Sequence, residues 1–190
     1  MPPATSLPVD TPYPEGRTDV RSLRYRQSLV LLRLKNAVKM RSGEDAHFIV
    51  GADYRVSWTD GNGVETDIVV PRGMLTDLTS VPPIFRSLVG RVGPWLEAAV
   101  VHDFLAIAWR VLDGNGSARR RLFADDIMWA AMTEAKVGWV RKRLIYGAIR
   151  VAALIYYPRK EKVAPWSDFS ADLGDAEIRK QLPDGVHLPD

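Results

Sequence analysis

The chain has 190 residues, 46% hydrophobic and 26% charged, with a net charge of +3. That is enough for one domain with a proper core, and too little net charge for the concentrated basic footprint that nucleic acid requires. The absence of cysteine excludes disulfides, thiolate metal sites and cysteine catalysis, and with only His47, His102 and His187 available, any metal would be shared between histidine and carboxylates.

Residues 1–24 read as an extended N-terminal arm. Five of the 13 prolines fall here, at Pro2, Pro3, Pro8, Pro12 and Pro14, and proline removes a backbone donor and favours polyproline-like geometry. No basic segment followed by an apolar one marks a signal peptide at this end. A single domain is expected over 25–157 and a polar tail over 158–190. Ser28–Lys39 carries both a helical and an alternating pattern, and the alternation of Val30, Leu32 and Leu34 favours a strand.

Ala46–Trp58 alternates without a break. Phe48, Val50, Ala52, Tyr54, Val56 and Trp58 share one face, and His47, Ile49, Gly51, Asp53, Arg55 and Ser57 share the other. Asp60-Gly61-Asn62-Gly63 is a hairpin turn, because glycine and asparagine tolerate positive φ. Glu65–Val70 is the return strand, so a hairpin is expected over about 46–70. His47 then lies on its more polar, solvated face.

Pro71-Arg72-Gly73 and Val81-Pro82-Pro83 bracket a loop holding Asp77, Thr79 and Ser80. Three helices follow, at about 95–112, 118–135 and 139–157. Pro94, Asp113-Gly114-Asn115-Gly116, Lys136-Val137-Gly138 and Pro158 mark their ends. None approaches the ~20 uninterrupted apolar residues of a membrane span. Strands first and helices after give an α+β fold.

The first helix is apolar nearly all round except at His102 and Asp103. A carboxylate in that setting must be paired or neutralised, since isolated burial costs several kcal/mol. On the second helix, Asp125 interrupts the stripe of Leu122, Trp129 and Met132, while Asp126 lies on the neighbouring stripe. A short connection makes the two helices an antiparallel hairpin, which brings Asp125 toward Asp103 or Arg110. Two readings fit these residues. In one, His102, Asp103, Asp77 and Asp125 form a site for one divalent cation that activates water. In the other, the carboxylates pair with arginines such as Arg110, Arg121 or Arg150, Asp77 and Ser80 cap the loop, and the cluster only specifies the fold. The basic residues Arg141, Lys142, Arg143 and Arg150, with Trp139 and Tyr146, read as a solvated helix face rather than a nucleic-acid surface.

Several separate stretches resemble one family in the same order: Val70-Pro71-Arg72-Gly73-Met74, Thr76-Asp77 with Ser80-Val81-Pro82, Ala98 through Leu105 around His102-Asp103, Arg121 with Ala124-Asp125, and Tyr146 with Arg150. The family is DUF1353, of unknown function and found largely in bacteriophages and prophages. The resemblance covers about Ala46 to Ala152 and includes neither terminal segment. It implies a viral or prophage origin, near tail, lysis or other late genes, and hence a place in the virion or the host cytoplasm. Its shared polar residues, Asp77, Ser80, His102, Asp103 and Asp125 here, resemble an active or metal site.

Two functions follow as expectations. The first is a metal-dependent, hydrolase-like protein. His102, Asp77 and Asp125 would hold Zn, Mn, Fe or Ni, with His102, Asp103 and Ser80 as the catalytic set and cell-wall material as the first substrate class to test. The second is a virion structural or assembly protein of the tail or neck, with a structural polar cluster and terminal arms that dock on neighbouring virion proteins.

Overall fold

The computed structural model describes residues 7, 9–16, 18–39, 45–77, 93–113, 118–156, 179–180, 182 and 184–185. The α+β order is found. Six strands, β1 (Val20–Tyr25), β2 (Leu31–Lys39), β3 (Asp45–Val50), β4 (Tyr54–Asp60), β5 (Glu65–Val70) and β6 (Leu75–Thr76), precede three helices, α1 (Leu96–Asp113), α2 (Ala118–Glu134) and α3 (Trp139–Tyr156). The strands form two antiparallel sheets, ordered β1-β4-β5 and β2-β3-β6.

The alternating run 46–58 is not one strand. It breaks at Gly51–Asp53, so the hairpin is β4–β5, over 54–70, and β3 belongs to the other sheet. The break is tied down locally. The Gly51 amide donates to the Val30 carbonyl at 2.9 Å, and the Arg72 amide donates to Asp53 Oδ1 at 2.7 Å. A Cβ on Gly51 would lie 2.9 Å from Val30 Cγ1, so the chains meet closely where the strand changes sheet. Because Val50 and Tyr54 have the same parity, the side-chain period continues through the bend. The turn after β4 is as expected, with Gly63 at φ 85° and Asp60 Oδ1 accepting from the amides of Asn62 (2.9 Å) and Val64 (2.8 Å).

The main core lies between the β1-β4-β5 sheet and the helices. Tyr54, Val56 and Trp58 from β4 and Ile68 and Val70 from β5 meet Val101, Phe104 and Leu105 of α1 and Phe123, Ile127 and Met128 of α2. α1 packs on α2 and touches β5, while α2 packs on β1 and also contacts α3. A smaller cluster, Leu34, Ala46, Ile49 and Leu75 of the second sheet with Leu182, brings a residue of the C-terminal tail back onto the domain. Lys35 Nζ and Asp184 Oδ1 lie 2.7 Å apart beside it.

The described part of the N-terminal segment is also built in. Val20–Tyr25, mostly inside the stretch read as an arm, pairs with β4. Tyr13 is buried, donates its hydroxyl to the Leu105 carbonyl, and sets its ring edge-on to Phe123. Proline spacing excludes a helix there, but does not exclude a strand or a buried tyrosine between prolines.

α2 ends at the expected place by a less expected residue. Lys136 takes φ 54°, its amide donates to the Thr133 carbonyl, and the Val137 amide donates to the Met132 carbonyl, both at 3.0 Å. These two bonds make a Schellman cap with lysine where glycine is usual. Among the described residues, no helix is long and apolar enough to cross a membrane.

Candidate functional site

His102 and Asp103 are neighbours on α1, so their side chains leave the helix about 100° apart and reach different elements. His102 Nε2 lies 3.3 Å from Asp125 Oδ1 on α2. Asp103 Oδ2 accepts from Thr76 Oγ1 of β6 at 2.9 Å. From α3, Arg150 Nη1 donates to Asp125 Oδ2 at 3.2 Å. One polar seam therefore runs from β6 through α1 and α2 to α3.

The seam is graded in exposure. Asp125 is buried at 1% relative accessibility, Thr76 is buried, and the side chain of His102 keeps 12%. Both oxygens of Asp125 are engaged, one by a guanidinium and one by an imidazole, which meets the requirement of a carboxylate taken out of water. In the tautomer that carries its proton at Nε2, the ring donates to Asp125 and keeps its lone pair at Nδ1.

Asp126 and Tyr146 extend the seam toward solvent. The Tyr146 hydroxyl and the Asp126 carboxylate each influence the other's protonation. The Asp126 carboxyl titrates above its ordinary range, first because packing removes water from around it and second because Asp125 is next to it; Arg150 and Tyr146 oppose the rise. The Tyr146 hydroxyl is also raised, by loss of water and then by Asp126. Trp129 meets the Tyr146 ring edge-on at 5.1 Å between centroids, and the Arg150 guanidinium lies 5.9 Å above that ring.

Of the residues singled out from sequence, His102 and Asp125 come together directly, and Asp103 lies beside His102 but points to β6. Asp77 follows Thr76 at the end of β6 and is partly buried. Ser80 and Thr79 lie outside the described residues, as does His187. His47 is exposed on β3. Asp125 takes His102 as an α1 partner, the two residues that the site reading grouped, while the Asp103 or Arg110 proximity also expected is not among the contacts described for it. Its pairing with Arg150 is one of the arginine pairings anticipated above. Thr76, Tyr146 and Asp126 were not assigned roles. The signal for the α3 pair is there, since Tyr146 and Arg150 stand four residues apart on one face of a helix.

Among the described residues, no three of His, Asp and Glu gather as a metal would require. Two donors do fit. A 3.3 Å separation suits a long hydrogen bond, and it also suits adjacent ligands of one tetrahedral ion, which lie about 3.3 Å apart when metal bonds are about 2.0 Å.

The family model described as "Protein of unknown function (DUF1353)" matches residues 50–149, more than half the chain. The chain belongs to the DUF1353 family. No curated protein and no solved structure matches it. The DUF1353 match begins at the end of β3 and runs almost to Arg150, so it contains Thr76, His102, Asp103, Asp125, Asp126 and Tyr146.

Proposed function

We propose that this domain is a hydrolase whose catalytic group is His102, positioned by Asp125. The observation that carries the reading is the His102–Asp125 pair: a partly open imidazole held at one ring nitrogen by a buried carboxylate, itself braced by Arg150. That is the arrangement a general base needs, with one nitrogen fixed and the other free to take a proton from water as the water oxygen attacks substrate. The proton then passes to the leaving group. Asp103 and Thr76 fix the α1 turn that carries His102, and Ser80, outside the described residues, is kept as a catalytic candidate from the sequence alone.

A bound Zn, Mn, Fe or Ni ion would lower the pKa of its water and supply hydroxide near neutral pH. Such an ion would take His102 and Asp125 as ligands in place of their hydrogen bond and of the general-base role, and Asp77, which does not gather with them here, would have to move in as the third. The phage or prophage setting that the family resemblance implies makes cell-wall material the first substrate class to assay, with action in the host cell or from the particle. Metal-free protein and protein supplied with Zn or Mn are incubated with dye-labelled peptidoglycan, and soluble fragments are measured. Release of fragments is expected in at least one condition, and release only with added ion assigns the metal. No release in any condition contradicts the proposal for this substrate.

One observation favours a second reading, a virion structural or assembly protein. Asp125 is satisfied at both oxygens, as a network kept only for folding must be. Co-sedimentation with assembled particles, with the terminal segments protected from dilute protease only in the particle, is its expected result; equal cleavage in both settings counts against it.

A further inference from the structure

One face of α3 is apolar and bare. Val140 (61% exposed), Leu144 (40%) and Val151 (53%) stand with exposed Gly147 at successive spacings of four, three and four residues. These are the d, a, d and a positions of a coiled-coil seam. They point away from the helix's buried side, which carries Ile145 and Ile149. Gly147 is the informative member. Glycine inside a helix is less favourable than alanine, and among the described residues nothing lies within 4 Å of where its Cβ would be. No contact among those described residues accounts for it, whereas a helix crossing closely at that point would.

The flanks decide the occupant. In this register the e and g positions are Arg141, Arg143, Ala148 and Arg150, and α3 contains no acidic residue. Arg141 lies 5.0 Å over the Trp95 ring and Arg143 lies 5.1 Å over the exposed Trp139 ring, so both guanidinium groups are held beside the stripe. A second copy of α3 would set arginine against arginine, which is unfavourable at such positions. A lipid surface would accept the charge and the apolar stripe but gives no use for a bare glycine at its centre. We infer that this face of α3 docks an acidic amphipathic helix of another protein, its apolar seam crossing at Gly147 and its carboxylates meeting Arg141 and Arg143.

The test uses the full chain and two labelled three-heptad peptides with leucine at a and d. One carries glutamate at e and g, the other lysine. Fluorescence anisotropy is expected to show binding of the glutamate peptide alone, weakening as salt rises. Leu144→Glu should weaken it about tenfold or more, as loss of a central apolar contact does. Gly147→Ala should leave the melting temperature equal or higher, yet weaken binding, an effect that an idle surface glycine would not have. Absence of glutamate-peptide binding, equal binding of both peptides, or binding indifferent to Leu144→Glu overturns the inference. A dimer abolished by Leu144→Glu in sedimentation assigns the face to a second copy, and partition onto phosphatidylglycerol vesicles lost with the same substitution assigns it to a membrane; either result also overturns it.

Discussion

Two networks of the same chemistry occupy opposite settings in this molecule. On the solvent side of the β1-β4-β5 sheet, Ser57 Oγ accepts from Arg26 Nε at 2.6 Å and donates to Asp67 Oδ1 at 2.5 Å. Arg55 Nη1 donates to Asp67 Oδ2 at 2.8 Å, and Arg26 also pairs with Glu65. Among the helices, Asp125 is held by Arg150 and His102 at 3.2 and 3.3 Å. The sheet network has the shorter bonds, but its carboxylate is 39% exposed against 2% for the Asp125 side chain. The Ser57 hydroxyl that binds Asp67 is itself buried, but water reaches the Asp67 carboxylate and its Arg55 partner, and screening leaves such an ion pair worth little. Nothing replaces a partner of Asp125 without cost. The difference teaches that bond length alone does not rank these networks. The expensive one is also the one that holds a histidine partly open to solvent, which a purely structural device does not require.

Substitutions can break this contrast or sharpen it. The largest effect is expected for Arg150→Leu, which leaves the Asp125 carboxylate buried with His102 alone. Urea unfolding should show a loss of about 2–3 kcal/mol, below the full penalty for breaking a buried pair because the Arg150 side chain is partly exposed. His102→Ala comes next in stability. It removes one hydrogen bond from Asp125 while Arg150 remains, at about 1 kcal/mol. Asp67→Ala should cost less than about 1 kcal/mol, since its charged partner turns to water. If Asp67→Ala proved as damaging as Arg150→Leu, the ranking by burial would fail.

The smallest effects concern pH, and their signs are opposite. The Ser57 hydroxyl, followed by the Arg55 guanidinium, holds the Asp67 carboxyl below its ordinary value. Its contribution is therefore present above the unfolded carboxyl range, near pH 4, and is lost as pH falls through the lower folded value. Asp126 is raised, so its contribution is present below that range and is lost as pH rises through the folded value. At neutral pH, Asp126→Asn should melt slightly higher than the parent protein and Asp67→Asn slightly lower. Both differences should shrink in thermal melts taken in acid. Shifts of the same sign would contradict these assignments.

Much of the fold was legible because its punctuation is chemical. Pro94, the glycine-rich stretch after Asp113 and Gly138 placed the three helices to within about a residue, as helix stop signals can. Gly93 also has a local duty, since a Cβ there would fall 1.9 Å from the folded-back Trp95 ring. The sheet division was not legible, because side-chain alternation carries no record of a bend that preserves parity. Tyr13 was hidden by its prolines, and Leu182 by its polar surroundings. For the site, the apolar setting of His102, Asp103 and Asp125 announced that partners were needed. The site reading grouped both His102 and Asp103 with Asp125, and helix phase separates them: about 100° of rotation turns His102 to Asp125 and Asp103 to Thr76. Thr76 was invisible as a partner because a two-residue strand leaves no period to read.

The central claim is that the helical seam serves chemistry while the sheet network serves structure. Paired measurements on His102→Ala and Asp67→Ala test it most directly, each assayed for peptidoglycan hydrolysis and for its unfolding midpoint in urea. The account predicts that His102→Ala loses about a hundredfold or more of the activity while remaining folded, and that Asp67→Ala keeps its activity with a slightly lower midpoint. Activity unchanged in His102→Ala, or lost equally in both variants, would contradict it.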